Sequence, residues 1–218
     1  MKVILTGASG MVGEGVLLEC LANPAVTQVL MVNRKHVERT HPKLRELIVP
    51  DFMNPDAFSN ELSGYDACFY CAGISAVGLN EAQYTKITYD TPLRFAEKLL
   101  SLNPDMVFNH VSGSHTDSSE KGRVMWARVK GRAENALMRM PFKKVYNFRP
   151  SIMEPVEGQR NIKSFYKVIV IMMPLFKLLF AKQMLNISQV GRAMIHAVQK
   201  GYSKQVLEVA DIRELAKG

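Results

Sequence analysis

Thr6-Gly7-Ala8-Ser9-Gly10-Met11-Val12-Gly13 stands directly between a short apolar strand, Val3 to Leu5, and a stretch of helical period from Met11 to about Leu21. Glycines at such a turn let the backbone approach a pyrophosphate, whose charge is met by the free amides at the helix start. The last glycine lets helix and strand pack closely. The spacing is G-x-x-G-x-x-G. It differs from the G-x-G-x-x-G of the commonest dinucleotide fingerprint, and from the phosphate loop of ATPases, because no Lys follows and Glu14 comes next. The plain alternative is a tight turn with no ligand. Against it, the turn opens a chain in which strands and helices alternate.

Outward from the turn, short β-branched or apolar runs alternate with helical stretches, the pattern of a parallel sheet flanked by helices. Strands are predicted at Val29 to Val32, Leu47 to Val49, Ala67 to Cys71, Met106 to Val111 and Val145 to Phe148. A helix is predicted from about Glu81 to Leu102, opened by Asn80 with Gln83 three residues on, and another from about Gly122 to Met140. After Arg149-Pro150 the pattern loosens into a loop, the apolar segment Ile162 to Leu185, a helix from Ser188 to Lys200, a strand Val206 to Val209, and a short helix capped by Asp211 with Glu214. Residues 1–218 read as a single domain, with 1–150 a nucleotide-binding core and 151–218 a small cover over the carboxyl ends of the strands, where ligands of such sheets bind.

Composition bounds the rest. The 218 residues are 47% hydrophobic and 22% charged, which excludes disordered and collagen-like classes. Lys and Arg number 28 against 20 acidic residues, a net charge of +8, so an anionic partner is expected. Cys20, Cys68 and Cys71 are too few and odd in number for a disulfide framework, and Val3 to Leu5 is too short for the apolar core of a leader, so the expected location is the cytoplasm. No apolar run reaches the roughly 20 residues a spanning helix needs. Cys68-x-x-Cys71 falls on a strand, where residues three apart point to opposite faces, and the histidines show no metal spacing, so no metal is expected. Between Lys121 and Arg149 nine basic side chains face Glu134 alone, a solvated helix face or an attractor for an anionic substrate. Aromatic residues do not interleave with them, which argues against nucleic acid.

Thr6 to Gly13, Asp51 after the third strand, Ala72-Gly73 after the fourth, Ser112 after the fifth, Lys130, and Arg149-Pro150 after the sixth together resemble a short-chain dehydrogenase/reductase of the extended or atypical type, the group often labelled NAD-dependent epimerase/dehydratase. Tyr70-Cys71-Ala72-Gly73 and Val129-Lys130-Gly131-Arg132-Ala133-Glu134 look most like the small oxidoreductases related to the Tat-interacting protein. The resemblance implies a Rossmann-type, doubly wound α/β fold. It implies a cofactor held by Thr6, Gly7, Ser9, Gly10, Met11, Val12 and Gly13, by Asn33, Arg34 and Lys35, by Asp51 or Phe52 at the adenine, by Cys71, Ala72, Gly73 and Val111, and by Lys130, Arg149 and Pro150. Ser112 would meet the substrate and Lys130 the nicotinamide ribose.

Two departures shape the expected activity. NAD enzymes usually end the second strand in a carboxylate that bonds the ribose, whereas this chain ends it in Asn33-Arg34-Lys35, which suits a 2′-phosphate and points to NADP(H) before NAD(H). A solvated basic loop is the alternative there. Family reductases also carry Tyr four residues before the Lys, and here that position is Trp126, whose indole has no accessible acidity. His115, Tyr84 or Tyr89 are substitute acids to consider, and without one water would supply the proton to an easily reduced acceptor such as a flavin or quinone. The expected activity is an NADP(H)-dependent oxidoreductase acting on a small, partly apolar substrate, with an NADP(H)-sensing binding protein as the alternative. The segment around Phe165 to Phe180 reads as a lid, a subunit contact or a membrane-surface helix, and oligomeric state is left open.

Overall fold

The computed structural model describes residues 1–161 and 183–218. Nearly all of the apolar segment Ile162 to Leu185, with the lid and membrane-surface readings attached to it, lies outside the described residues. Seven strands form one sheet: β1 (Lys2–Thr6), β2 (Gln28–Asn33), β3 (Leu44–Ile48), β4 (Ala67–Tyr70), β5 (Val107–Val111), β6 (Lys144–Phe148) and β9 (Val206–Leu207). Their order is β3-β2-β1-β4-β5-β6-β9 and every pairing is parallel. The order reverses between β1 and β4, so this Rossmann-type sheet opens a crevice beyond the carboxyl ends of those two strands.

Alternation along the strands builds two cores. Val3, Leu5, Val29, Met31 and Phe69 face one way, against α1 (Met11–Ala22), α5 (Ile187–Lys200) and α6 (Val209–Leu215). Ile4, Leu30, Cys68 and Phe108 face the other way, with Phe95, Leu99 and Leu137 of α3 (Thr91–Leu102) and α4 (Met125–Met138). Both faces are covered, which is why the strands read as continuous apolar runs. Cys68 and Cys20 are buried in opposite cores, and burial pushes both thiols up, so they behave as packing groups. Among the described residues no helix is long and apolar enough to cross a membrane, and no cluster of metal-binding side chains occurs.

Several elements differ from the sequence reading. The helix expected from Glu81 to Leu102 is divided into α2 (Glu81–Thr85), a π-turn over Lys86–Asp90, and α3. Asn80 and Gln83 do cap its start reciprocally. Pro92 explains the interruption, because it sits in the first turn of α3 and offers no N–H to the carbonyl one turn back. Thr91 makes a local repair, donating both its amide and its hydroxyl to the Lys86 carbonyl. β3 starts at Leu44, three residues early. The final helix is capped by Glu208 with Asp211, where the sequence had suggested Asp211 with Glu214. β7 (Ile152–Glu154) and β8 (Met184–Asn186), which were not foreseen, pair in parallel as a separate two-stranded sheet.

Candidate functional site

The crevice between β1 and β4 holds a cavity of about 310 Å³ lined by Gly10, Met11, Val12, Gly13, Cys71, Gly73, Ile74, Ser75, Val111, Ser112 and Lys130. The glycine turn forms one wall. Gly7 has φ of +76°, and a Cβ there would stand 2.6 Å from the Ala72 amide nitrogen. A Cβ on Gly13 would stand 2.2 Å from the Gly7 carbonyl oxygen. The turn is therefore as tight as a chain without side chains permits. Gly10 is the N-cap of the 12-residue α1 and supplies no side-chain cap, which leaves the first amides of the helix facing the cavity. Thr6 is fully buried and accepts the Ala72 amide at 3.2 Å, so it braces the β1 and β4 turns against each other rather than reaching a ligand.

Lys130 and Ser112 form the opposite wall. Trp126, Lys130 and Glu134 recur at four-residue intervals and so share a face of α4. Lys130 donates to the Ser112 carbonyl at 3.1 Å, and burial lowers its ammonium pKa while Glu134 opposes the shift. His110, two residues before Ser112, shares a hydrogen bond of 2.9 Å with Asn147 Oδ1, and burial together with Lys130 pushes its pKa down to about 4. It is neutral near pH 7.

The hydroxyls near Lys130 are ordered. Thr116 Oγ1 donates to the Gly113 carbonyl at 2.8 Å, which uses its one proton. Its bond of 3.0 Å to Ser112 must then be donated by Ser112, so Ser112 Oγ presents acceptor lone pairs to the cavity. Ser112 lines the cavity, yet with its proton given to Thr116 it has only lone pairs to offer a ligand there and no donor for a carbonyl.

Several expected residues fall elsewhere. Trp126 is half-buried and makes no hydrogen bond among the described residues. His115 is exposed with φ of +63° and does not line the cavity. Tyr84 is buried, the Tyr89 ring carries the Arg132 guanidinium 4.9 Å from its centre, and neither tyrosine lines the cavity. Phe52 packs 4.9 Å from Phe95 in the core, which removes its ring from any adenine edge, while Asp51 stays exposed and accepts the Met53 amide and the Asn54 side chain. Arg149 is held in the framework. Its guanidinium is spent on buried Glu134, on Glu208 at 3.0 Å and on Ser118 at 2.6 Å, and Pro150 beside it is buried with its carbonyl taken by the Ser114 amide. Ser9 is exposed on the turn. Cys71 borders the cavity with a thiol pushed up to about 12 by burial, which makes it a poor nucleophile.

At the tip of β2, Asn33 is buried, whereas Arg34 and Lys35 are exposed and make no hydrogen bond or ion pair among the described residues. Arg39, five residues on, is committed to Glu14 at 2.8 Å. That Glu14 carboxylate is buried and also accepts the amides of Arg160 and Asn161, fastening the loop after β7 to the start of α1. Its side chain marks where a phosphate-loop lysine would stand, the one sequence signal of its different task.

An open parallel sheet with a glycine turn at its crossover and a lysine facing that turn defines a nucleotide-binding α/β protein of the dehydrogenase kind. Residues 3–116, over half of the chain, match the NAD dependent epimerase/dehydratase family, and the chain belongs to that family. It is similar to Protein HTATIP2 of Rattus norvegicus, 25% identical over 155 residues that cover 70% of this chain and 62% of that protein. The chain thus spans less than two thirds of that relative. It is also similar to Protein fmp52, mitochondrial, of Emericella nidulans, 27% identical over 167 residues, 73% of this chain and 69% of that protein. In fold it matches the UDP-glucose 4-epimerase of Thermotoga maritima, with a TM-score of 0.69, 15% identity, and coverage of 100% of this chain and 82% of that one. The Bordetella bronchiseptica enzyme WbmF, solved with NAD+, gives a TM-score of 0.65 at 17% identity, covering 99% and 76%.

Proposed function

We propose that the chain binds NADP(H) in this crevice and acts as an NADP(H)-dependent oxidoreductase on a small, partly apolar substrate. The observation that carries the reading is that the glycine turn, Ser112 and Lys130 line one cavity of about 310 Å³. The residues fit the cofactor: a Cβ at Gly7 or Gly13 would fill the cradle, and the uncapped α1 offers amides to a pyrophosphate. When bound, the nicotinamide supplies hydride chemistry. Lys130 would hold the ribose beside it, Ser112 would orient the substrate, and Ile74, Met11 and Val111 would exclude water. Arg34 and Lys35 support NADP over NAD, because they are cations left unpaired where an adenosine 2′-phosphate belongs. The cysteine usage favours a reducing compartment.

Calorimetry with NADP+ and NAD+ tests the cofactor, with tighter NADP+ binding expected and the preference lost in Arg34→Ala. Tighter NAD+ binding would overturn the assignment. Consumption of NADPH with a panel of quinones, flavins and carbonyls, abolished in Lys130→Ala, is the expected sign of an enzyme. Tight binding of NADPH without turnover on any acceptor would favour the sensing role that Trp126 invites.

A further inference from the structure

Glu46 lies on β3, the edge strand of the sheet, and the sequence reading gave it no task. Its side chain reaches across to the turn that follows β2. Oε1 accepts Asn33 Nδ2 at 3.1 Å and the Val37 amide at 2.8 Å, while Oε2 pairs with His36 Nδ1. Asn33 is the last residue of β2 and Val37 lies four residues on, so a single carboxylate closes the turn into a ring. The residues left outside that ring are Arg34 and Lys35, both exposed. Hydrogen bonds to the carboxylate also hold Glu46 below the usual carboxylate range, so it is charged when the turn is closed.

The carboxylate that recognises NAD by accepting the two ribose hydroxyls ordinarily ends the second strand, where this chain has Asn33. Glu46 reaches the same turn from the neighbouring strand, and reading a ribose there would require free lone pairs. Here both oxygens are occupied by the turn itself. Three of the carboxylate's roughly four acceptor sites are thus filled, so the pair of hydrogen bonds a ribose diol needs could form only by displacing one of these partners, with little gained in exchange. A phosphate meets the opposite situation. Two cations stand on a turn whose shape is already set, so fewer degrees of freedom are lost on binding.

We propose that Glu46 is the positioning residue that makes the β2–β3 turn selective for a 2′-phosphorylated dinucleotide, by closing the turn on Asn33 and Val37 and so presenting Arg34 and Lys35. The proposal rests on the NADP(H) reading given above. Because the effect is one of shape, an isosteric neutral side chain that still accepts the Val37 amide preserves it, and truncation removes it.

The test is calorimetric titration of the full chain with NADP+ and NAD+, for the unaltered protein and for Glu46→Gln, Glu46→Ala, Asn33→Ala and Arg34→Ala, with a melting curve for each. In Glu46→Ala the NADP+/NAD+ affinity ratio is expected to fall about tenfold or more, the scale of one charge-assisted hydrogen bond, through weaker NADP+ binding at unchanged NAD+ affinity. Glu46→Gln is expected to keep the ratio. Asn33→Ala, which frees one end of the ring without touching Glu46, is expected to lower it in the same sense and serves if Glu46→Ala fails to fold. An unchanged ratio in a folded Glu46→Ala or Asn33→Ala, or an equal loss of NAD+ and NADP+, overturns the proposal. The cofactor reading fails separately, when the unaltered protein prefers NAD+ or when Arg34→Ala leaves its preference intact.

Discussion

Gly10 and Gly13 belong to one motif and answer to different constraints. A methyl on Gly13 meets the Gly7 carbonyl oxygen at 2.2 Å, whereas one on Gly10 has nothing nearer than 3.4 Å and points to the cavity side. Gly13→Ala is expected to lower the melting temperature and abolish dinucleotide binding together. Gly10→Ala is expected to weaken binding at a nearly unchanged melting temperature, and thermal scans with and without NADP+ separate the two. His110 carries a second prediction at this scale. Its folded pKa of about 4 lies below the ordinary 6.5, so the unfolded chain binds more protons between those values. Stability from this group is full above about pH 6.5 and is lost as pH falls toward 4, by about 2 kcal/mol at pH 5. Urea midpoints at pH 7.5 and pH 5 should show that loss in the unaltered protein and a smaller one in His110→Gln, which keeps a donor for Asn147 and does not titrate.

Helix α4 joins the site to the framework. Lys130 faces the cavity, and one turn later Glu134, fully buried, meets Arg149 at the end of β6, which continues to Glu208 and Ser118. Gly131 lets the loop carrying Asp117 lie against the same helix, since a Cβ there would stand 1.8 Å from the Asp117 carbonyl oxygen. Breaking one side of the pair leaves a buried charge alone, so Arg149→Met is expected to cost about 3–5 kcal/mol, and Glu134→Leu with Arg149→Met together much less. Denaturant titration of the three variants checks this. The Glu134 partner of Arg149 was not legible, because an arginine-proline pair after a strand shows its position in the chain but not which acid stands behind it. Glu46 escaped notice for a related reason: its partners are 9 to 13 residues away and meet it only through the β2–β3 pairing. The glycine turn, the Asn80 cap and the alternation of strands with helices were legible because they rest on local spacing. The π-turn at Lys86–Asp90 was equally local, and Pro92 was its signal.

Across the whole molecule the +8 charge divides into committed and available parts. Arg39, Arg94, Arg128 and Arg149 are held by carboxylates, while Arg34 and Lys35 are not. NADP+ affinity is therefore expected to fall more steeply with added salt than NAD+ affinity, because exposed cations are screened and backbone amides are not. The β7–β8 pair has a consequence of another kind. Ile152 to Glu154 and Met184 to Asn186 lie in fixed parallel register, and Asn186 goes on to cap α5. The framework is thus fastened at both strands, and Met11 and Glu14 hold Gln159, Arg160 and Asn161 as well, so the stretch open to exchange begins after Asn161. For protein engineering this is an exchangeable cassette with a lower size limit, since a parallel pair needs a connection of about a dozen residues or more. Foreign inserts above that length should leave the sheet and its nucleotide crevice assembled, and shorter ones should pull the clasp apart.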